Sequence, residues 1–581
     1  MPHVLREYAF VADGERGAVV GPSGGIEWLC FPHWHDGGVF SSLVGGHGEY
    51  VVRPQGRYVW GGSYDDGTLI WRIRWVTADG SVVECRDALH LPGRCDAAVL
   101  LRRVEVLTGS VRLDVVCNPR PDYGRAPVRA WHDDGSTHTG SAAGVHVRWT
   151  APCRTRDEPD EHGGRRLVGE ISLGEGECAD LVLELATGPF SDPPADPAAA
   201  WSETAAAWKR DVPELGPMAG ARDARHACAV LRGLTGGHGA MVAAATASLP
   251  ERADTGRDYD YRFAWIRDLA MAGQSMAVAA PDSPLLDRWT GFVVERLLAD
   301  GDRMSPAYTV EGAPIPVPSH LGLPGYPGGH DVVGNQVRDQ FQLDAFGDAL
   351  LLLADMGRLD RLDAEGWRAA DMAADAIAAR WQQPDSGIWE LQPRWWTNSR
   401  LTCVAGLRAM ANVAGDGELV QRWAGLADLI LAETSRRCVH PSGRFQRAED
   451  DERVDAALLL PLVRGCLGPE DPRIRQTVAA VRRELCVDGY VYRYRPDARP
   501  LGEAEGAFLL CGFVMSLAEL ALGDPVSSAR WFERTRASCG PPGLFSEEYD
   551  VAQRQLRGNL PQAFVHGMLL QAAACQPHDA S

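Results

Sequence analysis

The feature that most constrains this chain is a change of hydrophobic period at one proline-rich breaker. Asp192-Pro193-Pro194-Ala195-Asp196-Pro197 cannot continue a strand or a helix interior. Before it, short alternating runs such as Thr68–Val76, Val111–Val116 and Ala179–Leu185 are separated by turn signals at Asp65-Asp66-Gly67, Ala78-Asp79-Gly80 and Asp133-Asp134-Gly135. Alternation at that spacing predicts an antiparallel β-sandwich over residues 1–190. After it, apolar positions recur at helical spacing. A linker with a helix is expected over 191–219 and an all-α domain over 220–581.

Twelve helices are predicted in that second part, near 220–236, 266–280, 284–299, 336–356, 363–382, 398–413, 416–437, 453–466, 472–485, 503–522, 525–537 and 560–575. Short links alternate with long ones rich in aromatics, glycine and charge, at 300–335, 383–397, 486–502 and 538–559. Alternating links suit an (α/α)6 barrel, in which inner and outer helices alternate and the long loops gather at one end. A helical solenoid is the competing architecture, but no repeated motif is present.

Charge excludes some functions. The 58 basic and 78 acidic side chains leave a net charge of −20, which repels phosphate backbones and argues against nucleic acid. The longest apolar runs, such as Leu458-Leu459-Leu460, fall far short of a membrane span. The first residues lack the apolar stretch of a signal peptide, so a cytoplasmic address is expected. The 14 cysteines are scattered without a Cys-x-x-Cys pair, which points to reduced thiols and no structural zinc. Gly-x-x-x-x-Gly-Lys and His-Glu-x-x-His are both absent. His33-Trp34-His35-Asp36 is a weak metal signal.

Carboxylates in aromatic loops are the better lead. In Asp385-Ser386-Gly387-Ile388-Trp389-Glu390, with Trp395 and Trp396 close behind, a carboxyl packed against indole loses hydration. Lost hydration disfavours the anion, which suits a general acid. A surface glutamate flanking a helix fits the same residues. Gly543–Asp550 carries the adjacent pair Glu547-Glu548, which can activate water, bind metal or merely be solvated. Tyr259–Asp268 alternates aromatics with charge before a helix. There Arg267 and Asp268 can bond sugar hydroxyls beside Trp265, or simply pair with each other. Tyr492-Arg493-Tyr494 and Gly558–His566 are weaker, and His566 reads as a structural histidine.

Taken together these stretches resemble the bacterial glycoside hydrolase family 15 enzymes, the glucoamylase, glucodextranase and trehalase group. Six segments in order carry the resemblance: Gly24–Pro32, Asp258–Arg262 with Trp265–Asp268, Gly334–Asp344, Ser386–Glu390, Ser546–Asp550 and Gly558–Phe564. The resemblance implies a β-sandwich joined by a helical linker to an (α/α)6 barrel. It also implies exo-acting, inverting hydrolysis of α-linked gluco-oligosaccharides or trehalose, releasing β-glucose without a cofactor or metal. By match of motif, Glu390 is the general acid and Glu547 the general base. Arg267 and Asp268 grip the terminal glucose, Trp389 walls its subsite and Arg493 lies in the sugar-binding loop. Trp265, Glu548, Trp395 and Trp396 are further expected binding residues. The stretch Arg394-Trp395-Trp396-Thr397-Asn398-Ser399 departs from the family's usual pattern, which leaves linkage specificity open. Inversion calls for carboxyls roughly 6.5–9.5 Å apart, with a water between. A phosphorylase on a similar barrel and a non-catalytic sugar-binding protein are the alternatives. Oligomeric state is not legible.

Overall fold

The computed structural model describes residues 2–577. The N-terminal part is built from antiparallel strands whose side chains alternate as the sequence alternates. In Trp71–Thr77, Trp71, Ile73 and Trp75 are buried while Arg72 and Arg74 turn outward. That strand belongs to an eight-stranded sheet, which faces a four-stranded sheet made of Glu49–Pro54, Ser110–Asn118, Arg165–Gly174 and Thr155–Pro159. Leu113 and Val115 from one sheet meet Leu100, Val104 and Leu183 from the other in a common core.

A third sheet, Ala9–Ala12, Gly17–Val20, Ile26–Cys30 and Gly38–Phe40, joins the two halves of the molecule. Its Val11, Val20 and Leu29 pack into the sandwich core, while Phe10, Val19 and Trp28 pack toward the helices. Both faces are buried, so these strands read as continuous apolar runs rather than alternating ones.

Asp196 of the breaker caps the linker helix α1, Pro197–Asp211, accepting from the amides of Ala198 and Ala199. Twelve further helices follow: α2 Ala221–Gly233, α3 Ile266–Ala279, α4 Pro284–Asp300, α5 Asp344–Arg358, α6 Ala364–Arg380, α7 Thr397–Val413, α8 Gly417–Arg437, α9 Leu460–Val463, α10 Pro472–Glu484, α11 Leu509–Ala521, α12 Pro525–Arg536 and α13 Ala563–Cys575. In order, α3, α5, α7, α9, α11 and α13 are neighbours, and α13 returns to α3, closing an inner ring. The even-numbered helices α2 to α12 lie outside it.

The two rings differ as their burial requires. The outer α8 buries only one stripe, Trp423, Ala427, Ile430 and Thr434. The inner α11 is buried from Leu509 to Glu519. Inner helices approach closely through small residues: a Cβ on Gly347 of α5 would stand 2.7 Å from the Thr402 backbone of α7.

Three predicted helices are shorter than expected. Residues 336–339 form a 3-10 turn separate from α5. The expected helix at 453–466 is a 3-10 turn, Ala456–Leu459, followed by α9, where Pro461 can sit only in a first helical turn. In the expected helix at 503–522, Ala507 and Phe508 pair with Tyr549 and Glu548 as a short strand, and α11 starts after them. All 14 thiols are free, and no helix among the described residues is long and apolar enough to cross a membrane.

Candidate active site

Loops before the inner helices converge on a cavity of about 180 Å³ lined by Glu390, Glu547, Glu251, Arg267, Trp389 and Arg493, with Tyr259, Tyr261, Phe508 and Phe564 among its walls. Because α3, α11 and α13 begin here, their N-terminal dipoles favour negative charge in the cavity. A larger groove of about 1000 Å³ surrounds Trp131 and Phe190 on the N-terminal part, but no carboxylate lines it. The smaller cavity is the one that gathers Glu390 and Glu547.

Glu390 sits on a closed loop. Asp385 and Arg394 exchange backbone hydrogen bonds of 2.9 Å at its base. Buried Asp385 anchors it further, accepting from the Gly387 amide and Ser399 Oγ at 2.8 Å each and pairing with Arg400. Glu390 itself has φ +57°, a conformation rare for a residue with a side chain and costly unless its surroundings hold it. Trp265 Nε1 donates to Glu390 Oε1 at 2.8 Å and Arg267 Nη1 to the same oxygen at 3.2 Å. Both bonds end on Oε1. Arg267 is fixed in turn by Asp268 and by the Ile388 carbonyl.

Glu547 approaches from the loop before α13. Its carbonyl accepts from the Leu509 amide at 3.0 Å, and the next residues pair with Ala507–Phe508. The carboxyl is buried and accepts from the Tyr261 hydroxyl at 3.1 Å. Burial, reinforced by the neighbouring negative charge of Glu251, pushes its pKa well up. Tyr261 is held by its own segment. Arg262 pairs with Asp260 and reaches back to Cys30 Sγ, the Trp34 and Asp36 carbonyls and the Tyr123 hydroxyl at 3.0–3.2 Å. The N-terminal part thus supports the site from behind, and among the described residues it contributes nothing to the cavity lining.

The other expected binding residues fall into two groups. Arg267, Trp389 and Arg493 line the cavity, with Trp389 fixed by a 2.9 Å bond from its Nε1 to Asp455. Asp268, Trp265, Glu548, Trp395 and Trp396 do not line it. Asp268 is fully buried behind Arg267, and burial pushes its pKa up to about 6 against the opposing charge of Arg267. Trp265 is buried and acts on Glu390 through its indole N–H. Glu548 bonds Arg493 at 3.2 Å and the Gly506 amide at 2.7 Å. Trp395 packs under Arg400 and Arg437, and Trp396 under Arg447. Their indoles face inward because both lie at the start of α7, whose first turn is fully buried.

Sequence reasoning missed Glu251 and Arg257, which line the cavity. Glu251 stands in a stretch without an aromatic pattern, whereas Arg257 immediately precedes the patterned Asp258–Arg262 and could have been found there. His566 accepts from the Phe545 amide at 3.3 Å and is kept neutral by burial, a structural role. Asn559 ties together residues 246–259, bonding Thr246 Oγ1, the Leu249 amide and the Tyr259 carbonyl. His33 pairs with Asp36 at 2.8 Å, and among the described residues no group of three His, Cys, Asp or Glu is placed to hold a metal.

Carboxyls brought from separate loops into one sugar-sized cavity of a helical barrel define a glycosidase-type site. Comparison with known proteins agrees. The profile of glycosyl hydrolases family 15 matches residues 231–574, and that of the trehalase-like N-terminal domain matches residues 2–188. The chain is 30% identical to the trehalase of Mycobacterium tuberculosis, over 98% of this chain and 89% of that one. It is 26% identical to trehalase 1 of Sulfolobus acidocaldarius over 98% of each chain. The isomaltose glucohydrolase of Kribbella flavida is 27% identical over 53% of this chain and 77% of that one. A bacterial glucoamylase solved with acarbose shares the fold, with a TM-score of 0.73 at 15% identity over 98% of this chain and 93% of that one. The chain belongs to glycosyl hydrolases family 15 and is an α-glucoside hydrolase.

Proposed function

We propose that this enzyme hydrolyses α,α-trehalose with inversion, Glu390 acting as general acid and Glu547 as general base. The observation that carries the reading is the convergence of these two carboxyls on one cavity from loops before different inner helices. Glu390 Oε1 is occupied by Trp265 and Arg267, so Oε2 carries the proton donated to the glycosidic oxygen. As that C–O bond breaks, water attacks the anomeric carbon from the opposite face and gives its proton to Glu547. Arg267 and Trp389 orient the ring, and no metal or cofactor takes part.

The choice of trehalose rests on two points. The Mycobacterium tuberculosis and Sulfolobus acidocaldarius relatives, which match nearly the whole chain at 30% and 26% identity, are trehalases. The cavity, at about 180 Å³, is smaller than the roughly 300–1,000 Å³ common for small-molecule sites, which favours a disaccharide over a long glucan. A small soluble sugar also fits the cytoplasmic address expected from the sequence.

The test is incubation with trehalose, maltose, isomaltose and longer glucans, with the first-formed anomers followed by NMR. Inversion of trehalose gives one β-glucose from the attacked ring and one α-glucose from the leaving ring. Two α-glucoses would mean retention. Turnover that requires phosphate would mean a phosphorylase, and binding without turnover a sugar-binding protein. Preference for maltose or isomaltose would keep the chemistry and move the specificity.

A further inference from the structure

Four carboxyls, Glu251, Glu505, Glu547 and Glu548, share the inner wall of the site with two guanidiniums, Arg257 and Arg493. Four negative charges against two positive ones cannot all be kept out of water, so this group retains protons. Burial pushes all four carboxyls up, and the contacts set them apart. Glu505 and Glu548 are held by Arg493 at 2.9 and 3.2 Å, and only Glu251 and Glu547 of the four line the cavity.

Glu251 is clamped on one side. Its Oε2 accepts from Arg257 Nε at 2.9 Å and Nη2 at 2.5 Å, with Arg493 Nη2 at 3.5 Å. Its Oε1 turns to the Tyr261 hydroxyl at 3.4 Å, the same hydroxyl that donates to Glu547 at 3.1 Å. Its backbone is also fixed: its amide donates to the Arg257 carbonyl at 3.1 Å, and the Pro250 carbonyl accepts from the Gly558 amide at 2.9 Å. Burial pushes the Glu251 carboxyl up and the charge of Arg493 opposes it, and the clamp of two guanidiniums holds it rigidly beside Glu547.

We propose that Glu251 is a positioning residue for the reaction: held anionic by Arg257 and Arg493, it orients Glu547 through Tyr261 and makes Glu547 the stronger proton acceptor. This rests on Glu547 being the base that activates water. A carboxylate facing only Tyr261 and the arginines would be a weak base, because cations and donors stabilise its anion. The fixed charge of Glu251 opposes that and strengthens its hold on the proton taken from water. The upward displacement of Glu547, with Glu251 as the charge responsible after burial, agrees with the geometry.

Glu548 adds a smaller charge in the same sense, and the remaining ionisable groups around the pair do not. Tyr259 and Tyr261 come from the segment before α3, and both are held neutral by burial. Tyr494, from the loop that carries Arg493, is raised by burial too. Asp258 is pushed up by burial and feels the charge of Glu251. Glu390 is bonded to Trp265 and Arg267 rather than to Glu547.

The experiment is the pH dependence of kcat/KM for the wild type, Glu251→Gln and Arg257→Gln, with thermal unfolding of each. The acidic limb reports ionisation of the base in the free enzyme. Glu251→Gln removes the opposing charge, so the limb moves to lower pH, by about one unit. Its plateau kcat falls about tenfold as the base weakens, while KM stays within about twofold. Arg257→Gln loosens the clamp on Glu251, lets the pair hold its proton more tightly and moves the limb upward, an opposite sign that a purely structural role does not produce. If Glu251→Gln fails to fold, the upward shift in Arg257→Gln decides alone. A limb that stays in place in the folded variants, or moves in the reverse sense, overturns the proposal. Glu547→Gln serves as the control: wild-type turnover there refutes the assignment of Glu547 itself, whatever Glu251→Gln does.

Discussion

Trp265 and Glu390 are joined by a 2.8 Å hydrogen bond from the indole Nε1 to Oε1, across 125 positions of sequence. The bond holds a carboxyl whose backbone is already in the left-handed region. Trp265→Phe keeps most of the buried volume and removes the donor. The expected result is a fall in kcat of about 10–100-fold with KM little changed, since a misplaced acid costs proton transfer rather than binding. Steady-state kinetics on trehalose checks it, and an unchanged kcat would show that the bond does not aim the acid.

The two carboxyl roles separate on a substrate that needs no acid. α-Glucosyl fluoride has a leaving group that departs without protonation. Glu390→Gln is expected to lose about 10²–10⁴-fold on trehalose yet keep much of its rate on the fluoride. Glu547→Gln is expected to fail on both, because each requires activated water. The reverse pattern would exchange the two assignments.

Asp385 and Arg400 form an ion pair with both side chains fully buried. Asp385→Asn leaves the guanidinium without its counter-charge, at a cost of about 3–5 kcal/mol. It also loosens the loop that carries Glu390. Denaturant unfolding should register the loss of stability, and turnover should fall even at temperatures where the variant remains folded. Stability within about 0.5 kcal/mol of wild type would contradict this account.

His226 is half-buried against the Tyr64 ring, and lost hydration pushes its pKa down to about 4. The unfolded chain binds a proton there near the ordinary pKa of about 6.5, so between those values the unfolded state holds more protons than the folded one. Stability from this residue is complete above about pH 6.5 and declines as pH falls toward 4. The difference corresponds to about 3 kcal/mol. His226→Gln should flatten that part of the stability–pH curve in denaturant unfolding at pH 7 and 4.5. An unchanged slope would place the acid sensitivity elsewhere.

The two-part plan is written in the residue pattern, because strand and helix periods are local properties of which residues can be buried. The breaker before Pro197 became a helix cap, and helices such as 284–299 and 472–485 lie where their apolar stripes placed them. The local pattern singled out the loops of Glu390 and Glu547, while only the family resemblance assigned the two carboxyls their proposed roles. Tertiary structure decided the rest. Closure of the inner ring brought Glu251 and Arg257 to Glu547, a meeting that no local pattern records. The same closure turned Trp395, Trp396 and Glu548 inward to support other side chains. Spacing along a chain fixes which face of an element is apolar, but which side chains share a cavity is set only when six inner helices meet around it.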